Sequence, residues 1–161
     1  MKKSYFQILA LAVLLVFTSS SCKKCKVENI TTDSGAIITE AVVYPVSGYM
    51  PYYGPALVNG YVIGPTHNYA NNFKVSFDGG PKTNVDWSQY RILVNPVKAT
   101  CNASYNRNVT IDNTAQTVSY SINCEQCTLC DYEVNTDNYV LVPIFPDNYT
   151  LNRTSTVVDK D

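Results

Sequence analysis

Ser104 to Ile111 reads SYNRNVTI and Thr117 to Ile122 reads TVSYSI, with Asp112-Asn113-Thr114-Ala115-Gln116 between them. Tyr105, Arg107, Val109 and Ile111 share one face of the first arm, and Val118, Tyr120 and Ile122 share one face of the second. Successive side chains of a strand point to opposite faces, so this period of two marks a pair of half-buried strands. The polar loop joining them has hairpin length. If Ile111 opposes Thr117, Cys101 falls opposite Cys127 across the open end of the hairpin.

Working outward, the same kind of signal recurs. Ala36 to Val46 (AIITEAVVYPV) predicts a first strand and Tyr61 to Ile63 a short one. Phe73 to Phe77 (FKVSF) alternates and ends at Asp78-Gly79-Gly80-Pro81, a strong turn signal. Asn84 to Gln89 (NVDWSQ) predicts one helical turn capped by Asn84, and Tyr90 to Val97 the next strand. Tyr139 to Phe145 (YVLVPIF) reads as a buried strand with Pro143 near its end or at an edge. Tyr149 to Val158 closes the chain. No window after residue 22 carries the apolar spacing of a long amphipathic helix. The expected fold is all-β: an antiparallel sandwich or small barrel of seven or eight strands.

The chain has 161 residues, which predicts one domain. Hydrophobic residues make up 45% and charged residues 16%, which excludes a disordered polyampholyte. Lys and Arg number 12 against 13 Asp and Glu, with no basic stripe, so a nucleic-acid binder is excluded. The single histidine, His67, sits in the polar stretch Gly64-Pro65-Thr66-His67-Asn68-Tyr69 and reads as solvated. No nucleophile turn of the G-x-S-x-G kind and no glycine-rich phosphate loop is present. Asp131 with Glu133, and Asp78 with Asp86, lack the dense spacing of a calcium loop. The expectation is a protein that is not an enzyme, with no metal and no cofactor.

Residues 1–22 read MKKSYFQILALAVLLVFTSSSC. Lys2 and Lys3 precede an apolar run from Ile8 to Phe17 that is too short to cross a bilayer, and Ser19, Ser20 and Ser21 suit a cleavage site. Residues 1–21 are therefore expected to be a cleaved signal peptide. Cys22 follows at once, and SSSCKKC resembles the relaxed lipobox of Bacteroidota-type lipoproteins, with Ser19 where the usual pattern has Leu. The resemblance implies a diacylglyceryl group on Cys22, cleavage before it and acylation of the new amino group. Two or more acyl chains hold a protein on a membrane durably. Residues 22–34 then form a flexible lipidated tether and residues 35–161 a single β domain. The implied location is the cell envelope, lipid-anchored to the outer membrane and facing the periplasm or the surface.

Five cysteines follow. Cys124, Cys127 and Cys130 form CEQCTLC, a spacing that suits metal thiolates in a reducing compartment. Behind a secretion signal, disulfides are the default. Cys101 can pair with Cys127, Cys124 or Cys130, a bond worth roughly 2–4 kcal/mol. Cys25, in the tether, is the one expected to stay unpaired.

Tyr44 to Tyr69 holds six Tyr, four Pro and four Gly and no charged residue. It reads either as a loop covering one end of the sheet or as a contact surface in which Tyr49, Tyr52 and Tyr53 meet an envelope protein or a glycan. Sequons at Asn29, Asn102, Asn108, Asn148 and Asn152 read as the product of an Asn- and Thr-rich composition. Val85-Asp86-Trp87-Ser88-Gln89-Tyr90, Cys101 and Tyr139 to Pro143 look similar to small protease-inhibitor-like envelope lipoprotein domains, which implies a binding module without catalysis. The functional expectation is a membrane-anchored, non-catalytic binding or structural accessory module. The alternative is a thiol, metal-binding or redox protein using Cys124, Cys127 and Cys130.

Overall fold

Tyr90 to Thr100 (YRILVNPVKAT) explains the architecture, because it is apolar on both sides and has to be covered on both. The computed structural model describes residues 27–46, 62–67, 70–100, 102–127 and 132–160. Its strands are β1 (Thr31–Gly35), β2 (Ala41–Pro45), β3 (Val62–Ile63), β4 (Phe73–Phe77), β5 (Thr83–Asn84), β6 (Tyr90–Thr100), β7 (Ala103–Asp112), β8 (Thr117–Cys127), β9 (Glu133–Pro143) and β10 (Thr150–Lys160). They form three sheets: sheet I in the order β1-β7-β8-β10, sheet II in the order β3-β6-β9 and sheet III in the order β2-β4-β5. The sheets pack into an all-β sandwich, and none closes into a barrel.

Sheet II is the middle layer. Leu93, Val97 and Ala99 of β6, with Val140 and Val142 of β9, meet Val109, Val118, Tyr120 and Ile122 of sheet I. Ile92 and Val94 of β6, with Leu141 of β9, meet Phe73 and Val75 of sheet III, with Ile63 and Val85. A strand covered on both faces needs apolar residues at consecutive positions, which is why RILV and YVLV do not alternate. Asn95 of β6, only 2% exposed, is one of the buried polar residues here. Its Nδ2 donates to the Thr154 carbonyl at 3.2 Å, and Arg153 Nη1 lies 3.4 Å from its Oδ1, so it ties β6 to β10.

The hairpin register differs by one residue from the sequence expectation. Asp112 pairs with Thr117, which sets Ile111 opposite Val118, Val109 opposite Tyr120 and Arg107 opposite Ile122. A register shifted by one residue, as expected from the sequence, would place the apolar residues of one arm across from the polar residues of the other. The turn is correspondingly tighter. Asp112 Oδ1 accepts from the amides of Thr114 and Ala115 at 2.8 Å each, and Gln116 adopts a φ of 53°.

Three further expectations change. First, Ala36 to Val46 is not one strand. β1 lies upstream, inside the segment expected as tether, and pairs parallel with β7. At Gly35 (φ +72°) the chain leaves sheet I, and a Cβ there would stand 2.1 Å from the Val109 carbonyl oxygen. Ile37 then enters the core, and Ile38 N donates to the Leu141 carbonyl at 2.9 Å before β2 begins. Second, β10 pairs parallel with β8, so the sandwich is not purely antiparallel, and the described residues alone form ten strands where seven or eight were expected. Third, Asn84 belongs to β5 and caps nothing. Asp86 does the capping: its Oδ1 accepts from Ser88 N at 3.0 Å and Ser88 Oγ at 2.6 Å, which holds its carboxyl below the usual aspartate range. No helix among the described residues is long and apolar enough to cross a membrane.

Candidate binding surface

The inner face of sheet I makes the core, so its outer face carries the intervening residues of each strand. The register aligns them in rows across all four strands. Thr32, Asn106, Asn123 and Thr156 form one row, and Ser34, Asn108, Ser121 and Thr154 the next. Thr110, Ser119 and Asn152 form a third across three strands. Every member is Ser, Thr or Asn. Charge appears only at the margins, with Asp112 beyond one end and Glu125, paired to Lys160 at 3.1 Å, beyond the other.

Solvent-facing sheet positions usually take long charged side chains that make cross-strand ion pairs and keep the surface soluble. Here short side chains leave the backbone ribbon close to whatever lies on it. Strands about 4.8 Å apart and same-face residues about 6.7 Å apart set the repeat of this polar lattice. Near β1 the polar groups bond to each other: Thr32 with Asn106, and Ser34 Oγ to Asn108 Oδ1 at 3.0 Å. Toward β8 and β10, the side chains of Thr110, Ser119, Asn123, Asn152, Thr154 and Thr156 have no protein partner among the described residues. Their hydroxyls and amides both donate and accept.

The face is held in place from behind. Arg107 projects from β7 toward the interior and grips Asp33 of β1 with two hydrogen bonds, Nε to Oδ1 at 2.7 Å and Nη2 to Oδ2 at 2.8 Å. Its Nη1 donates to the Tyr139 carbonyl of β9 at 3.1 Å, so one side chain joins sheet I to sheet II. A bidentate pair of this kind fixes geometry as well as adding energy. Tyr120, fully buried, donates its hydroxyl to the Asn138 carbonyl at 3.2 Å, and burial raises its pKa above the ordinary tyrosine range. Asp137 accepts from Tyr139 Oη at 3.1 Å, yet its pKa is raised, because burial outweighs that bond.

The residues singled out from sequence are distributed elsewhere. Cys22, Cys25, Cys101, Cys130, Tyr49, Tyr52 and Tyr53 lie outside the described residues. Cys124 is a free, fully buried thiol facing the sheet I–sheet II core, with its pKa raised by burial and by Glu125. Cys127 is not free, and no disulfide joins two described residues. Its amide donates to the Asn102 carbonyl at 3.0 Å, directly beside position 101. His67 closes a turn through its amide to the Gly64 carbonyl, and partial burial lowers its pKa. Asp78 and Asp86 sit in separate turns, and Glu133 pairs with Lys98. Among the described residues no three His, Cys, Asp or Glu side chains converge on a point. Asn108 and Asn152, noted only as sequons, belong to the lattice.

Comparison with known proteins finds no family model, no curated protein and no solved structure that matches this chain.

Proposed function

We propose that this protein is a lipid-anchored envelope module, acylated at Cys22, that works by binding and carries the outer face of sheet I as its binding surface. The occupant that suits this face is a neutral polyhydroxylated polymer, an envelope glycan. The absence of charge across three successive rows is the observation that carries the reading. A charged polymer would leave its ions without counter-charges, and an apolar one would strand the hydroxyls and amides. A neutral glycan offers matching donors and acceptors at similar spacing.

Each such hydrogen bond contributes about 0.5–1.5 kcal/mol net, and bridging waters serve nearly as well. Affinity on such a face therefore comes from many rows engaged together. Mooring at the membrane adds to it by raising local concentration. A bond between Cys101 and Cys127 would close the corner between β6, β7 and β8. The position of Asn102 against Cys127 supports that pairing. The thiol or metal alternative is less well supported. Cys124 and Cys127 lie three residues apart on one strand, so their side chains point to opposite faces, and Cys124 faces the core.

Co-sedimentation with insoluble neutral polysaccharides tests the binding half. The wild-type protein should be retained, and the double variant Ser121→Lys, Thr154→Lys should be released with its melting temperature unchanged. Retention of the double variant would refute the assignment of the face. Metabolic labelling with a radioactive fatty acid tests the anchor: label on wild type and none on Cys22→Ala is expected.

A further inference from the structure

Arg91 opens β6 at the end of sheet II remote from the cysteines, and its side chain is only 7% exposed. Nη1 is well occupied, donating to the Trp87 carbonyl at 2.6 Å and the Tyr90 carbonyl at 3.0 Å. Nη2 is not. Among the described residues its one charged neighbour is Asp147 Oδ1, an ion pair at 3.6 Å, beyond hydrogen-bond length, on a side chain that is 89% exposed. A buried cation whose counter-ion is long and solvent-exposed is poorly compensated and can exchange that partner for another anion.

The guanidinium stands at the wall of a cavity of about 340 Å³ whose other lining residues are Ile144, Phe145, Pro146 and Asp147. That volume is in the range of small-ligand sites. The segment that roofs it is pinned, because Ile144 N donates to the Gln89 carbonyl at 2.7 Å. Gly64 packs closely on the arginine side chain: a Cβ there would meet Arg91 Cδ and Nε at 3.1 Å.

We propose that this cavity binds a carboxylate attached to a small apolar group. The carboxylate takes Nη2 of Arg91 in place of Asp147, and the apolar part lies against Ile144, Phe145 and Pro146. A guanidinium favours carboxylates through charge-assisted hydrogen bonds, and the three apolar walls offer no partner to a polar body. Two sources share this chemistry, a free short-chain acid and the C-terminal residue of an apolar peptide.

The test is calorimetric titration of the folded protein with hexanoate, with 1-hexanol as the uncharged analogue, and with a leucine-terminated peptide bearing a free or an amidated C-terminus. Hexanoate or the free-terminus peptide should bind saturably, and the matching uncharged probe about tenfold more weakly or not at all. Tighter binding of the peptide identifies a chain terminus as the source, and equal or tighter binding of hexanoate identifies a free acid. Asp147→Asn, which removes a competing carboxylate from an exposed position, should strengthen binding several-fold. Arg91→Gln should abolish it. If that variant does not fold, Gly64→Ala, which crowds the guanidinium, should weaken it about tenfold. Equal affinity for charged and uncharged probes, no binding up to about 10 mM, or weaker binding by Asp147→Asn would overturn the proposal.

Discussion

Ile92 and Leu93 are adjacent in β6, face opposite ways and are each 0% exposed. Ile92 packs among Ile63, Phe73, Val75 and Leu141 between sheets II and III, and Leu93 among Val109, Tyr120 and Val140 between sheets I and II. In an ordinary two-layer sandwich one of two neighbours would face solvent, and truncating it would cost little. Here Ile92→Ala and Leu93→Ala should both be severe. Each deletes three buried carbons, worth about 0.8 kcal/mol apiece in transfer free energy, so about 2.4 kcal/mol. The cavity left behind brings each to about 3–4 kcal/mol. Against a domain stability of about 5–15 kcal/mol, each single variant folds and the double variant, at about 6–8 kcal/mol, stands at or beyond the limit. Urea unfolding followed by the fluorescence of Trp87, the one tryptophan, reports this as a fall in midpoint with the slope unchanged. A cost below about 1 kcal/mol for either residue would refute the three-layer arrangement.

Gly35→Ala puts a side chain on a backbone at φ +72° and against the Val109 carbonyl, so a loss of more than about 2 kcal/mol is expected. Hydrogen exchange should show β1 losing protection while β6 keeps it. Asp137 has its pKa raised in the folded state, so the native protein holds a proton that the unfolded chain has released. Its contribution favours folding at low pH and is lost as pH climbs from the ordinary aspartate value near 3.8 through the raised one. Asp137→Asn should remove that descending slope from urea midpoints measured across the acid range, and an unchanged slope would count against the burial argument. Cys124, buried and with a raised pKa, should resist a thiol reagent until the protein unfolds, and rapid labelling of the native state would contradict its placement in the core.

What could be read from sequence follows the burial of each segment. FKVSF alternates because β4 has one covered face, and its predicted bounds coincide with the strand. The inward faces of SYNRNVTI and TVSYSI were legible for the same reason. Pairing those faces would have corrected the register, since a turn of uncertain length is a weaker guide than two matching apolar stripes. β1 (TTDSG) carries no apolar signal, because its inward residue is Asp33 and its partner Arg107 is 74 positions away. β9 begins at Glu133 and not at Tyr139: its polar first half carries no apolar signal, yet it pairs with Asn95–Thr100 of β6. The candidate surface was hidden in another way. Ser, Thr and Asn at alternate positions look like mere composition until β1, β7, β8 and β10 are set side by side, and two of those pairings are parallel contacts no local pattern announces.

The most direct test of the binding account is a two-dimensional NMR titration of the isotopically labelled protein with a soluble neutral oligosaccharide drawn from the polysaccharide that retains it. The account predicts shifts confined to the three rows, led by the side-chain amides of Asn106, Asn108, Asn123 and Asn152, with Arg91 and the Cys124 region silent. Shifts that cluster on any other surface, or a spectrum unmoved at saturating sugar, would contradict it.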